Sequence, residues 1–117
     1  MDFTNPEAAR WWFGKRRYLI DQLGVDGFKT DGGEHFWSTA VRFADGRRGD
    51  EVLNRYPQLY TQAYYDFATS KRGDALTFSR AGFTGSQRSP AHWAGDENST
   101  WDAFRHSILA GLSAGVS

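Results

Sequence analysis

Apolar runs of strand length follow directly after segments with helical periodicity, and this alternation constrains the fold more than any other feature of the chain. The run at residues 25–30 follows one helical pattern, and ALTFS at residues 75–79 follows a second. A third helical pattern comes after the short segment AHW at residues 91–93, which we interpret as one more strand. Alternation of this kind is typical of an α/β protein with a parallel sheet.

The first two helical segments carry signals at their ends. Asn5 is a good capping residue and Pro6 is tolerated in the first helical turn, so a helix is predicted to start here and to end at Gly24. The second helix is predicted to start at Pro57 and to end around residues 71–73. Both helices therefore lead directly into a predicted strand.

The third helical segment runs almost to the last residue of the sequence. Ser99 and Asp102 have the spacing of a capping box, which predicts the start of this helix. Its apolar residues recur every three or four positions and are predicted to face the core: Trp101, Phe104, Ile108 and Leu112. The polar segment at residues 38–54 is expected to be a long loop that is either solvated surface or the cover of a site.

The 117 residues are enough for one small domain, spanning residues 1–117, with about three parallel strands and three helices. Parallel strands need both faces of their sheet covered. Right-handed crossovers, however, put these three helices on one side only. Further protein is therefore expected on the other face.

Composition excludes several classes of function. Lysine plus arginine equals aspartate plus glutamate, at 14 each, so a nucleic-acid partner is not expected. The absence of cysteine excludes disulfides and thiolate chemistry. The N-terminal residues do not resemble a signal peptide, and no apolar run is long enough to cross a membrane. We therefore expect a soluble protein without a membrane partner, whose compartment is unknown and cytoplasmic by default.

Two acidic residues follow predicted strands. Asp31 comes directly after the strand at residues 25–30, and Asp96 comes shortly after the segment at residues 91–93. Functional groups gather at the carboxyl ends of parallel strands. A pair of carboxylates is what cleavage of a glycosidic bond requires, since one attacks or stabilises the anomeric carbon and the other protonates the leaving oxygen.

Three sequence motifs carry a resemblance to a known family. GFKTDGGEHFW, FSRAGFTGSQRSPAHWAGDENSTW and the opening DFTNPEAARWWFGKRRYLIDQLGVDGFKTD resemble the catalytic barrel of glycoside hydrolase family 31, the α-glucosidases and α-xylosidases. The resemblance covers essentially the whole chain. It implies a small-molecule sugar substrate and no cofactor.

The resemblance also implies roles for four residues. Asp31 corresponds to the nucleophile of the KTDxGE motif, and Asp96 to the general acid and base of the HWxGD motif. Arg80 of FSR and Trp93 of HW correspond to residues of the sugar-binding subsite. Independently of the family, Arg80 is also a candidate ion-pair partner for one of the acids.

A complete eight-stranded barrel needs about 250 residues, so this chain resembles only part of one. Earlier strands of the family barrel have no counterpart here, nor does the segment with a histidine and an aspartate that follows the last helix. We therefore expect a half TIM barrel with weak or altered activity. Its exposed strand edges predict completion by self-association as a homodimer or homotetramer.

Two alternative functions remain open from the sequence. Asp31, Glu34, His35 and His92 supply carboxylate and imidazole groups that suit a divalent ion such as zinc or manganese. Such a site would support a metal-dependent hydrolase of activated esters or phosphoesters. The other alternative is a self-associating half-barrel without catalysis, in which these residues serve turns and solvated loops.

Overall fold

Two parallel strands and five α-helices make up most of the regular structure in the computed structural model, which describes residues 1–34 and 36–114. In chain order the elements are α1 (Pro6–Gly14), α2 (Arg17–Asp21), β1 (Gly27–Thr30), α3 (Gly49–Val52), α4 (Tyr56–Arg72), β2 (Leu76–Ser79), a 3-10 helix (Ser86–Arg88) and α5 (Trp101–Ala114). This order confirms an α/β fold with a parallel sheet. None of the helices in these two ranges is long and apolar enough to cross a bilayer.

The third predicted strand, at residues 91–93, is reduced to an isolated parallel bridge between Ser79 and His92. The amide of Ser79 donates to the carbonyl of Ala91 at 3.1 Å, and the amide of Trp93 donates to the carbonyl of Ser79 at 2.8 Å. Ala91 has a φ of 64°, a left-handed conformation that interrupts extended backbone. The prediction of a third regular strand was therefore wrong, although this segment does lie beside β2.

The close approach of the two strands explains a glycine that is otherwise unfavourable in a strand. Gly27 pairs with Leu76, and a Cβ atom at position 27 would lie 2.1 Å from the carbonyl oxygen of Leu76. Only a residue without a side chain permits this pairing.

The predicted first helix is divided in two. Asn5 caps α1 as expected, because its side chain accepts hydrogen bonds from the amides of Glu7 and Ala8 at 2.9 and 3.2 Å. At Gly14 the helix ends. The amide of Lys15 still donates to the carbonyl of Trp11, but the amide of Arg16 donates to the carbonyl of Phe13, only three residues back. Glycine favours such a break because it has a low helix propensity.

Aromatic side chains pack α4 onto one face of the sheet. Phe28 of β1 lies 5.7 Å from Tyr64 and 6.0 Å from Phe67, measured between ring centroids. Phe13 of α1 stacks on Phe67 at 4.6 Å. Aromatic pairs at these separations contribute beyond their buried area. This layer holds the sheet on α4.

The segment at residues 38–54 is more ordered than the predicted long loop. It contains α3, and it contributes Phe43 and Val52 to a buried cluster with Tyr56. A tight turn at Gly46, with a φ of 89°, brings Phe43 back towards α3. Because buried apolar residues are scattered among charged neighbours, the composition of this segment masks its contribution to the core.

The second face of the sheet and the last helix are exposed. Leu76 and Phe78 point away from α4 and are 54% and 38% exposed. Helix α5 has no buried residue, so the core positions predicted for it are wrong within the described part of the chain. Its cap is Thr100 and not Ser99, since the Thr100 hydroxyl accepts from the amide of Ala103 at 3.1 Å.

The radius of gyration agrees with a sheet that is covered on only one face. It is 15.5 Å, whereas a compact domain of about 100 residues has about 13 Å. The prediction that further protein covers the free face is consistent with both observations. Self-association as the source of that cover stays a prediction.

Candidate active site

The ends of the two strands are joined by their side chains. Thr30 and Ser79 are the last residues of β1 and β2, and the Thr30 hydroxyl donates to the Ser79 hydroxyl at 2.6 Å in a buried position. The next residues, Asp31 and Arg80, therefore emerge side by side at the carboxyl edge of the sheet. The amide of Arg80 also donates to the carbonyl of Thr30 at 3.3 Å.

The Asp31 carboxylate lies between two cations. Its Oδ1 is 3.3 Å from Nη1 of Arg80 and 3.6 Å from Nζ of Lys29. The Asp31 side chain is 60% exposed, so a ligand has free access to it. The two cations therefore place positive charge on either side of an accessible carboxylate.

Arg80 connects the acidic residues of this edge. Its Nε forms an ion pair with Glu34 while Nη1 faces Asp31. The hydrogen bond to Glu34 raises the pKa of Arg80, and the charges of Asp31 and Asp96 act in the same direction. Arg80 is therefore always a cation, and it lies within electrostatic range of all three carboxylates.

Asp96 approaches this edge from the segment that pairs with β2. The bridge at His92 is followed by Gly95, whose φ is 118°, and then by the exposed Asp96. A left-handed glycine turns the chain sharply at this point. Asp31 thus lies directly beyond β1 and Asp96 shortly beyond the segment that pairs with β2, and the charges of both carboxylates act on Arg80.

Trp93 is linked to Asp31 through Lys29. The Lys29 ammonium lies 4.0 Å from the centroid of the Trp93 ring, a cation–π distance, and 3.6 Å from the Asp31 carboxylate. Trp93 is half-buried, so part of its side chain is accessible. A half-buried indole ring beside a carboxylate is a suitable surface for a sugar ring.

The four residues predicted to bind a metal have different surroundings. Glu34 pairs with Arg80, and the His92 Nε2 atom lies 3.1 Å from the carbonyl of Ser86, to which a protonated nitrogen donates. His35 lies outside the described residues. Within ranges 1–34 and 36–114, no three aspartate, glutamate or histidine side chains are grouped so as to hold a metal ion. The metal site with His35 stays a prediction.

Two residues of this region were not singled out from the sequence. Lys29 was detectable, because side chains two apart on a strand point to the same side, which places Lys29 with Asp31. Tyr60 donates its hydroxyl hydrogen to the backbone carbonyl of Asp31 at 2.9 Å. No local pattern indicates that contact, since 29 residues separate the two positions.

The edge is open. The adjacent depression measures about 140 Å³ and is lined by seven residues: Glu34, Leu53, Asn54, Pro57, Ala81, Gly82 and Phe83. Known small-molecule sites are typically clefts of about 300 Å³ or more. The described residues thus form an open surface at this edge and not a closed pocket.

Comparison with known proteins identifies the family of this chain. The sequence profile of the Glycosyl hydrolases family 31 TIM-barrel domain matches residues 1–117. The chain is 58% identical over 113 residues to 1,3-alpha-isomaltosidase from Kribbella flavida, covering 97% of this chain and 16% of that protein.

Solved structures show the same local fold. The cycloalternan-forming enzyme from Listeria monocytogenes, in complex with a pentasaccharide substrate, superposes with a TM-score of 0.93 at 48% identity. The cycloalternan-degrading enzyme from Trueperella pyogenes, in complex with a covalent intermediate, superposes with a TM-score of 0.89 at 55% identity. Each alignment covers 97% of this chain.

These matches extend over only a small part of the relatives. The chain spans 11% of the Listeria enzyme and 16% of the Trueperella enzyme. Within that part, the family resemblance predicted from the three sequence motifs is confirmed. The chain belongs to glycosyl hydrolase family 31 and matches its TIM-barrel domain.

Proposed function

We propose that this chain carries the catalytic centre of a retaining α-glycosidase, with Asp31 as nucleophile and Asp96 as general acid and base. The observation that supports this most directly is the shared position of the two acids. Both follow adjacent parallel segments, and both lie within electrostatic range of Arg80. Paired carboxylates at one sheet edge are the minimum that this reaction needs.

The reaction proceeds in two balanced steps. A carboxylate oxygen of Asp31 attacks the anomeric carbon as the glycosidic bond breaks, and Asp96 transfers its proton to the departing oxygen. Asp96, now ionised, removes a proton from a water molecule, which attacks the anomeric carbon and releases Asp31. Two inversions at that carbon retain its configuration. If a sugar hydroxyl replaces the water, the product is a transferred glycoside.

The remaining residues of the edge support these steps. Arg80 and Lys29 lie 3.3 and 3.6 Å from Asp31 Oδ1 and hold the carboxylate in place by ion pairing. Arg80 is anchored in turn by Glu34. Trp93 is assigned to the sugar-binding surface, because its Lys29 contact holds it beside the nucleophile. Each of these roles follows from contacts on one edge of the sheet.

The relatives narrow the substrate class. The Kribbella relative is named a 1,3-alpha-isomaltosidase, and the Listeria and Trueperella enzymes form and degrade cycloalternan. We therefore propose α-linked glucose oligosaccharides that contain isomaltosyl units as substrates. Because Asp31 is 60% exposed and the adjacent depression is small, we expect the isolated 117-residue chain to be weakly active.

A matched pair of variants tests this function. Asp31→Asn removes the nucleophile, whereas Asp26→Asn removes an acid that pairs with Arg72 before the other end of the same strand. On aryl α-glucosides and α-isomaltosides, Asp31→Asn should lose at least about a thousandfold in kcat, because no covalent intermediate forms. Asp26→Asn should keep wild-type kcat. A wild-type chain that cleaves no member of the panel would overturn the proposal.

Asp96 has its own test. Asp96→Ala should slow substrates with poor leaving groups far more than activated aryl substrates, since only the former need a proton on the leaving oxygen. Equal losses on both kinds of substrate would contradict the role of general acid. Repeating the assays with a chelator separates this mechanism from metal-dependent hydrolysis, which the comparisons do not favour.

We further propose that the isolated chain self-associates, as a homodimer or homotetramer, through its exposed apolar surfaces. Phe78 of the free sheet face is 38% exposed, and Phe104 and Leu112 of α5 are 55% and 75% exposed. Burial of such side chains drives association. Sedimentation should show an oligomer that Phe104→Lys weakens and that Tyr18→Lys, on α2, leaves intact. A monomer at all concentrations would contradict the proposal.

A further inference from the structure

The side chain of Tyr60 extends from α4 to the turn that carries Asp31. Its hydroxyl donates to the Asp31 carbonyl oxygen at 2.9 Å. Its ring lies against Gly33 so closely that a Cβ atom at position 33 would be 2.3 Å from Cδ1 of the ring. One tyrosine therefore contacts both ends of the short segment from Asp31 to Gly33.

The turn from Asp31 to Gly33 contains two glycines, which contribute no side chains to fix its conformation. Gly32 and Gly33 have φ values of 74° and 86°, so two consecutive left-handed glycines follow the nucleophile. Glycine has the greatest backbone freedom of all residues, and it has no side chain with which to anchor a turn. The position of the Asp31 backbone must be held from outside the turn.

Tyr60 is itself well placed to hold it. It sits within a 17-residue helix, and its ring packs 5.3 Å from Tyr64 and 5.7 Å from Phe3 between centroids. Burial raises the pKa of Tyr60, so its hydroxyl stays protonated and remains a donor at neutral and alkaline pH. The anchor is thus rigid and keeps its hydrogen.

We propose that Tyr60 is a positioning residue for the nucleophile, which it orients through the backbone of the Asp31–Gly33 turn. Tyr60 donates a hydrogen bond to the Asp31 carbonyl, and its ring packs against Gly33. It does not touch the reacting atoms and is therefore not a catalytic residue. This proposal rests on the proposed role of Asp31. Loss of the hydroxyl should leave sugar binding intact and misplace the attacking carboxylate, so kcat changes and KM does not.

Tyr60→Phe and Tyr64→Phe form a matched comparison. Both remove one hydroxyl group from α4. The Tyr60 hydroxyl donates to the backbone carbonyl of Asp31, whereas the Tyr64 hydroxyl accepts from the indole of Trp12 at 2.9 Å. Tyr60→Phe should lower kcat about tenfold or more with KM within about twofold, because small misplacement of a reacting group is costly. Tyr64→Phe should keep wild-type kcat, whatever it does to thermal stability.

A second readout does not depend on activity. Amide hydrogen exchange at residues 32–34 should become faster in Tyr60→Phe and stay at the wild-type rate in Tyr64→Phe. Unchanged exchange, unchanged kcat or a change in KM alone would each overturn the positioning role. If the wild-type chain cleaves no glycoside, the proposed function falls, and the exchange rates still decide whether Tyr60 holds the turn.

Discussion

The hydroxyl groups of Thr30 and Ser79 form a 2.6 Å hydrogen bond between the last residues of the two parallel strands, directly below Asp31 and Arg80. Both side chains are buried. Thr30→Val removes the donor and leaves a buried hydroxyl without its partner. We expect a loss of about 1–3 kcal/mol in the free energy of unfolding, measured by urea denaturation.

Thr77 provides the control for that variant. It lies two residues before Ser79 on the same face of β2, and its buried hydroxyl has no hydrogen-bond partner within the described ranges. Thr77→Val therefore removes no bond, and the free energy of unfolding should stay within about 0.5 kcal/mol of wild type or rise. Equal losses in the two variants would contradict the importance of the Thr30–Ser79 bond.

Gly27 and Gly111 should respond oppositely to substitution by alanine. At Gly27 a Cβ atom would overlap the Leu76 carbonyl, so Gly27→Ala should force the strands apart and cost about 1–3 kcal/mol. At Gly111, within α5, the added atom meets nothing within 4 Å. Gly111→Ala should stabilise helix α5 by about 0.5–1 kcal/mol and thereby raise the helix content. Circular dichroism during denaturation measures both changes.

Alkaline titration should reveal the burial of two tyrosines. Burial raises the pKa of Tyr56 and of Tyr60, so both phenols stay neutral in the folded chain above pH 10, near which an exposed phenol ionises. Their contribution to stability is therefore complete below about pH 10 and is lost as the pH rises further, because only the unfolded state ionises readily. Tyr60→Phe should make this loss less steep. If wild type and Tyr60→Phe lost stability identically as the pH rises, the raised pKa of Tyr60 would be contradicted.

Removal of the Lys29 charge should weaken catalysis without affecting the fold. Lys29→Met takes away the cation that lies between Trp93 and Asp31. We expect kcat/KM to fall about two- to fivefold. This factor corresponds to the free energy of one exposed cation–π contact. Lys71→Met, in the last turn of α4, is the control and should not change kcat/KM. A wild-type value for Lys29→Met would show that this contact has no role.

Much of the fold was predictable, because its signals are local. The cap at Asn5 and the start of α4 near Pro57 each depend on neighbouring residues, and the structure has both. The parallel arrangement followed from the order of helices and strands. The errors lie where a local pattern competes with backbone geometry, as at Ala91, whose left-handed φ reduces a strand to a bridge.

The buried cluster of Phe43, Val52 and Tyr56 was not predictable in the same way. Phe43 and Val52 are separated by a run of charged residues and lack strand or helix periodicity. They meet because the chain turns at Gly46 and re-enters the core at α3. Sequence windows measure periodicity along the chain, whereas this packing depends on a reversal of direction.

The sequence by itself determined the α/β alternation, the family and the position of Asp31 directly after a strand, because each depends on motifs or spacing of neighbouring residues. Only the tertiary structure decided that Arg80 lies between Asp31 and Glu34, that Lys29 contacts Trp93, and that the Tyr60 hydroxyl donates to the Asp31 carbonyl. These contacts join residues far apart in the chain. Their distances are set by the pairing of β1 with β2 and by the packing of α4, which no local pattern encodes.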